Sequence, residues 1–177
     1  SWELGFRRYE LARFHLREAL SVHPNMPEAL AELALLEISD NRYAEAHKLT
    51  DRALKVDPTN VRVRAVRAAL AVFRGDEAAL QAEQNALFKH RPKCARLLAQ
   101  TAEIVGGRFR YKEARDLAAR ALEVDPGWVP ALSTLGLNMT RTGEADEAMA
   151  VLERAQKADP FNVFVWNTLK VLHKLAD

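Results

Sequence analysis

Apolar side chains recur along most of the chain at the spacing of one face of an α-helix, in stretches separated by short polar breaks. Between Pro27 and Asn60, Leu30, Leu33, Ala34 and Glu37 follow one helix, Asn41 breaks it, and Tyr43, Ala46, Leu49, Ala53 and Leu54 resume it in a second. Pro27 stands where a first helical residue belongs, since its missing N–H is not needed there and its fixed φ suits the start of a helix. Residues 129 to 160 repeat the arrangement with Leu132, Leu135, Gly136 and Met139, a turn at Gly143, and then Ala145, Ala148, Leu152 and Ala155. Residues 95 to 126 do the same with Leu98, Ala102 and Val105, then Tyr111, Ala114, Ala118 and Ala121. The pattern predicts antiparallel helix pairs. Where two such helices cross closely, facing side chains must be small, and Ala34 with Ala46, Ala102 with Ala114, and Gly136 with Ala148 meet that need.

The pairs come at a fixed period. Pro24, Pro58, Pro92, Pro126 and Pro160 stand 34 residues apart with no drift, and each ends a phrase in which the last turn of a helix meets a residue that cannot continue it. A constant period of this length marks stacked helical repeats. The expected organisation is a single solenoid domain over residues 1–177, with a partial repeat at 1–26, repeats at 27–60, 61–94, 95–128 and 129–162, and a terminal helix at 163–177. Tyr9 to Val22 reads as a second helix without its partner, of which Trp2 and Leu4 are the remnant. Phe161 to Leu175 reads as a final first helix capped by Asn162, with Trp166, Leu169 and Leu172 facing the preceding unit. Lys170 occupies the place where a small residue would admit a following helix.

One unit departs from the pattern. In strict register, residues 61 to 92 put Arg64 and Arg67 at the two large apolar positions, whereas Val63, Val66, Leu70 and Phe73 make a better stripe one residue earlier, and Ala79 and Ala86 are displaced by the same step. The expectation is a one-residue deletion near residues 59 to 62 offset by an insertion near 88 to 92, with irregular helix ends and outward-pointing arginines, because burying an unpaired charge is costly. The alternative keeps strict register and pairs Arg67 with an acid between helices.

With these residues in register the chain resembles the tetratricopeptide repeat family, whose 34-residue units favour large, Leu, small and aromatic residues in the first helix, small residues in the second, and a late proline. The match runs through Leu132, Leu135, Gly136, Ala148, Ala155 and Pro160, and through Leu30, Leu33, Ala34, Tyr43, Ala46, Ala53 and Pro58. The resemblance implies an all-α, right-handed superhelical solenoid of antiparallel helix pairs whose first helices line a concave groove for a peptide or helix. Carried over position by position, the groove-facing residues are Glu28, Ala31, Leu35 and Ile38, then Arg62, Ala65 and Ala69, then Arg96, Gln100 and Glu103, then Ser133, Leu137 and Arg141. Family members that grip the C-terminal carboxylate of chaperones use Lys, Asn and Arg at places held here by Ala31, Leu35, Val66, Arg96 and Gln100, so that clamp is absent.

Composition adds little that changes this picture. About half the residues are apolar and 28% are charged, which suits a folded chain. The net charge is +2, with Arg62, Arg64, Arg67, Arg74, Lys89, Arg91, Lys93 and Arg96 concentrated between residues 58 and 102 against Asp76, Glu77 and Glu83. That belt suits an acidic partner or a phosphate backbone, but it lacks aromatics interleaved for base stacking, so nucleic acid is not the expected partner. Cys94 is the only cysteine, which excludes an internal disulfide, and the five histidines show no ligand spacing, so neither metal nor cofactor is expected. Gly106-Gly107 lacks the rest of a phosphate-cradling loop and reads as a turn between helices. No run is long and apolar enough to span a membrane. No catalysis is assigned to the segment. A first residue other than Met, and the Ala and Arg richness, suggest a piece of a larger bacterial protein. The expected function is a protein interaction scaffold. The alternative is a substrate-positioning or regulatory arm of a larger enzyme, suggested by the similarity of Asp159 to Leu172 to what precedes a metallopeptidase-like domain in some bacterial repeat proteins.

Overall fold

The computed structural model describes the backbone of residues 2–176 and the side chains of residues 8–174. Among the described residues every regular element is an α-helix: α1 (Trp2–Val22), α2 (Pro27–Ser39), α3 (Tyr43–Val56), α4 (Val61–Arg74), α5 (Glu77–Phe88), α6 (Ala95–Gly107), α7 (Tyr111–Val124), α8 (Val129–Thr142), α9 (Ala145–Ala158) and α10 (Val163–Ala176). They fall into two compact units, Ser1–His90 and Arg91–Asp177.

The recurring Asp-Pro step has a local cause. Asp57, Asp125 and Asp159 each leave the helix in an extended conformation, as a residue before proline must. Each carboxylate then accepts the backbone N–H two residues on, from Thr59 at 2.9 Å, Gly127 at 3.1 Å and Phe161 at 3.3 Å, which turns the chain toward the next first helix. Asn60 and Asn162 cap the helices that follow by accepting from Val63 at 3.1 Å and Val165 at 3.2 Å. Second helices also hold the turn before them, through Arg52 on the Pro24 carbonyl and Arg154 on the Pro126 carbonyl.

Between the helices of a pair the turn is equally regular. Asn41, Gly75, Phe109 and Gly143, again 34 residues apart, all have positive φ. The turn after α6 is therefore made at Phe109 and not by the glycine pair, which closes α6 itself. Gly106 is needed for packing, since a Cβ there would lie 2.9 Å from Asn138 Oδ1 and 3.3 Å from Ala114 Cβ.

In unit 1, Leu30, Ala34, Ala46 and Ala53 are buried between α2 and α3, and Val63, Val66 and Leu70 are buried in α4. The inferred deletion and insertion are absent: α2, α4, α6, α8 and α10 start at residues 27, 61, 95, 129 and 163, and α3, α5, α7 and α9 at 43, 77, 111 and 145. Strict register thus puts Arg64 and Arg67 where α2 has Leu30 and Leu33, and Glu83 where α3 has Leu49. Nor do these arginines point outward. Arg64 and Glu83 are each only 12% exposed and meet at 2.7 Å, while Arg67 reaches Glu83 at 3.0 Å and also pairs with Asp51 of α3. Paired guanidiniums escape the penalty that an isolated buried charge would carry, so an ionic trio stands in the place of an apolar one. The small positions of α5 follow strict register too, and carry Leu80 and Leu87, both fully buried, while Ala79 and Ala86 are half-buried. Only the end of the unit is irregular, with α5 stopping at Phe88 and Lys93 at positive φ.

Trp2 begins the same continuous helix as Tyr9 to Val22, so no separate partner helix stands there, and its side chain and that of Leu4 lie outside the described residues. Arg13 ties α1 to α2 by pairing with Asp40 at 2.6 Å and with Glu37 at 3.7 Å.

Unit 2 is built around Leu132, Ala148, Leu152, Ala155, Val165, Leu169 and Leu172. The starts of its second helices carry two carboxylates with lowered pKa, Glu113 in the first turn of α7 and Glu144 just before α9. The Thr142 hydroxyl and then the Arg115 guanidinium hold Glu144 below the usual glutamate range, and the hydrogen bond from Arg110 does the same for Glu113. Because the folded values lie below the unfolded ones, this stabilisation is present above the usual range and is lost as pH falls through the lowered values. The melting temperature is expected to drop as the pH is taken below about 4.5, the ordinary glutamate value. A Glu113→Gln/Glu144→Gln variant is expected to show a shallower drop, and an unchanged acid profile would exclude these two groups as its source.

Candidate functional site

Unit 2 carries a groove of about 610 Å³ between the first helices α6 and α8, the start of α10 and the turn after α6. Its wall is mixed. Leu137, Phe109, Phe164 and Pro130 supply apolar surface, and Glu103, Ser133, Thr134, Asn138, Arg141 and Asn162 supply polar groups.

Each side chain is placed by its helix. Ser133, Leu137 and Arg141 follow one another at four-residue steps on α8, so they share one face of it. Ser133 is buried and spends its hydroxyl on the Val129 carbonyl at 2.9 Å. Asn138 is buried and donates to the Thr134 carbonyl at 2.7 Å, lodged in the space that Gly106 leaves open. Arg141 is exposed, yet its guanidinium stands 5.0 Å from the centre of the Tyr111 ring and donates to the Tyr111 hydroxyl at 2.8 Å. A guanidinium held this way keeps further N–H donors for a carboxylate.

Phe109 is the unusual member. It is 75% exposed and sits at φ 64, a conformation the equivalent turns give to Asn41, Gly75 and Gly143. For a bulky residue this costs about 1–2 kcal/mol. Tyr111 packs edge-on against its ring at 6.1 Å, so the aromatic is held over the groove mouth beside the arginine.

Of the residues assigned to the groove from the sequence, Glu103, Ser133, Leu137 and Arg141 come together here, and Arg96 and Gln100 lie on α6 outside it. Arg96 is exposed, and Gln100 has its Oε1 buried with no hydrogen-bond partner among the described residues. In unit 1 the assignment needs correction. Ala31, Ile38, Ala65 and Ala69 are fully buried and offer no surface to a ligand, because α2 and α4 pack through these small and apolar positions. Glu28 accepts from the Asn60 amide at 3.2 Å, and Arg62 pairs with Glu32 at 3.0 Å, so both are engaged between repeats. Leu35 is half-buried. Sequence reasoning missed Phe109, Asn138 and Phe164. For Phe109 the signal was present, as a large residue where the other turns have Asn or Gly.

The groove has the means to bind and orient. No group of three or more His, Cys, Asp or Glu able to hold a metal occurs among the described residues, and no described helix is long and apolar enough to cross a membrane.

A family model described as tetratricopeptide repeat matches residues 3–70 and 107–170. The unmatched stretch holds all of α5, where Glu83, Leu80 and Leu87 break the usual pattern. No curated protein matches the chain in sequence. Among solved structures, TTC0263, a thermophilic TPR protein of Thermus thermophilus, is 18% identical, with 97% of this chain and 93% of that one covered and a TM-score of 0.62. Yeast Tom70 is 19% identical, with 93% of this chain and 36% of that one covered and a TM-score of 0.64. PilW, described as a widely conserved type IV pilus biogenesis factor, is 16% identical over 88% of this chain and 72% of that one, with a TM-score of 0.53. At these identities the likeness is one of fold.

Proposed function

Because the chain belongs to the tetratricopeptide repeat family, we propose that it is a protein interaction module whose unit 2 groove receives a peptide or helix from a partner. The observation that supports this most is Phe109, an exposed aromatic kept at a backbone position where glycine would be more stable, over a groove that also holds Arg141 and Leu137. Strain retained at a surface site calls for a use, and an aromatic anchor beside a fixed guanidinium suits an amphipathic segment bearing a carboxylate.

Phe109→Gly separates stability from binding. It is expected to raise stability by about 1 kcal/mol while weakening partner binding about tenfold, the loss of one anchor side chain. Urea unfolding and a binding titration read the two effects, and a variant that keeps full affinity would deprive Phe109 of its role. The partner itself is sought by pull-down from the source cell's extract with mass spectrometry, using Leu137→Asp and Arg141→Glu as controls. A protein lost from both variants, with helicity and melting unchanged, supports the groove. One retained in full by the double variant removes the groove from consideration.

A further inference from the structure

We infer that the turn opening unit 2, from Arg91 to Arg96, is a docking surface separate from the groove, and that its occupant is an extended acidic segment of a partner protein. The structure sorts the cations concentrated between residues 58 and 102 into spent and free. Arg62 is paired with Glu32, and Arg64 and Arg67 are engaged by Glu83 and Asp51. Arg74 stands apart on α4, beside Tyr43 and His47. Arg91, Lys93 and Arg96 are exposed, and none of them pairs with a carboxylate among the described residues. Lys89, exposed and likewise unpaired, precedes them in the chain. None of these residues lines the unit 2 groove.

The repeat register says what this turn is missing. Arg91 stands where the other turns have Asp57, Asp125 and Asp159, so the charge at that step is inverted. Each aspartate accepts the backbone N–H two residues on, from Thr59, Gly127 and Phe161. The corresponding N–H here belongs to Lys93, which has positive φ and no acceptor for that N–H among the described residues. The turn thus lacks its own carboxylate and carries two guanidiniums and an ammonium in a short stretch. Like charges so close repel one another until a counter-charge arrives. Guanidiniums receive a carboxylate through paired N–H bonds, which makes a carboxylate from another chain the complement of the turn.

An acidic peptide suits the place better than other anions do. The cations follow an irregular turn and not one face of a helix, which matches carboxylates borne on an extended chain. From Arg91 to Arg96 the chain exposes no Phe, Tyr, Trp or large aliphatic side chain, so it offers a nucleic acid no ring to stack on and a bilayer no apolar wedge.

The test uses two fluorescently labelled, unstructured peptides of about eight residues, long enough to follow the turn in extended form. One alternates Glu with Ser and the other Gln with Ser, and each is titrated with the full chain by anisotropy. The Glu peptide is expected to bind about tenfold more tightly than the Gln peptide and to weaken as salt is raised. Arg91→Asp is the sharpest variant. It restores the aspartate-proline step of the other turns, so it is expected to melt no lower than the parent while binding the Glu peptide about tenfold more weakly. Arg91→Glu/Lys93→Glu/Arg96→Glu is expected to abolish binding with helicity unchanged by circular dichroism. Lys55→Glu/Lys112→Glu/Lys157→Glu, which changes the net charge equally at exposed lysines elsewhere, is expected to keep most of it. Arg141→Glu is expected to leave it unchanged, which separates this surface from the unit 2 groove. Equal affinity for the two peptides would overturn the inference, as would full affinity in Arg91→Asp, or an equal loss in the scattered-lysine variant or in Arg141→Glu. So would tighter binding, through the same three residues, of a single-stranded dT oligomer or of phosphatidylserine vesicles.

Discussion

Replacing Glu83 with alanine is expected to destabilise the chain by about 3 kcal/mol, the lower part of the range for removing one partner of a buried pair. The carboxylate serves two guanidiniums at once, Arg64 at 2.7 Å and Arg67 at 3.0 Å, with Arg64 and Glu83 each 12% exposed and Arg67 24%. Without it both cations keep only secondary partners: Arg64 donates to the Pro58 carbonyl at 2.6 Å, and Arg67 retains Asp51. Those contacts hold the loss to the low end. The opposite result is expected when all three go together. Arg64→Leu/Arg67→Leu/Glu83→Leu restores the apolar set that Leu30, Leu33 and Leu49 form one repeat earlier, and should equal or exceed the parent by up to about 4 kcal/mol. Urea midpoints with a common slope decide the matter. A triple-leucine variant less stable than the parent would mean that the ionic trio contributes more than its desolvation costs.

Gly136→Leu carries the second large effect, about 3 kcal/mol of destabilisation through overpacking. Even a methyl group at this position meets Leu152 at three atoms, 2.5, 2.7 and 3.2 Å away, and the first of these is the branch carbon, which cannot swing aside as a chain end could. For Gly136→Ala the gain in helix propensity, about 1 kcal/mol, opposes the clash and leaves a smaller net loss. Gly107→Ala is the control. Nothing lies within 4 Å of a Cβ there, so the same exchange is expected to be neutral or stabilising. If Gly136→Ala and Gly107→Ala changed the urea midpoint equally, close approach of α8 and α9 could not be the reason for the glycine.

Helix pairs, their small crossing residues and their proline-marked ends are legible in the sequence because each rests on a local rule that recurs every 34 residues. Residues 61 to 92 escape the favoured reading, and the alternative holds instead: strict register, with Arg67 paired to an acid between helices. Val63, Val66 and Leu70 are buried as their periodicity implies, but charge at Arg64 and Arg67 implies exposure only where no acid is at hand. Pairing with Glu83, a residue 19 positions from Arg64, is a tertiary fact that periodicity does not carry. The candidate site is legible in part. Ser133, Leu137, Glu103 and Arg141 reach one groove, whereas Ala31, Ala65 and Ala69 are too small to project beyond the helices that cover them. Phe109 and Asn138 enter through backbone conformation and through the room left by Gly106, neither of which a hydropathy pattern records.

The ionic trio also bears on how stability varies with temperature. Hydration of newly exposed apolar surface raises the heat capacity of unfolding, and exposure of polar surface lowers it. A repeat that buries two guanidiniums and a carboxylate in place of three leucines therefore contributes less to that heat capacity and flattens its share of the stability curve. The hydration that competes with ion pairing weakens on warming, so the helices around Glu83 lose less of their support in heat than their apolar neighbours do.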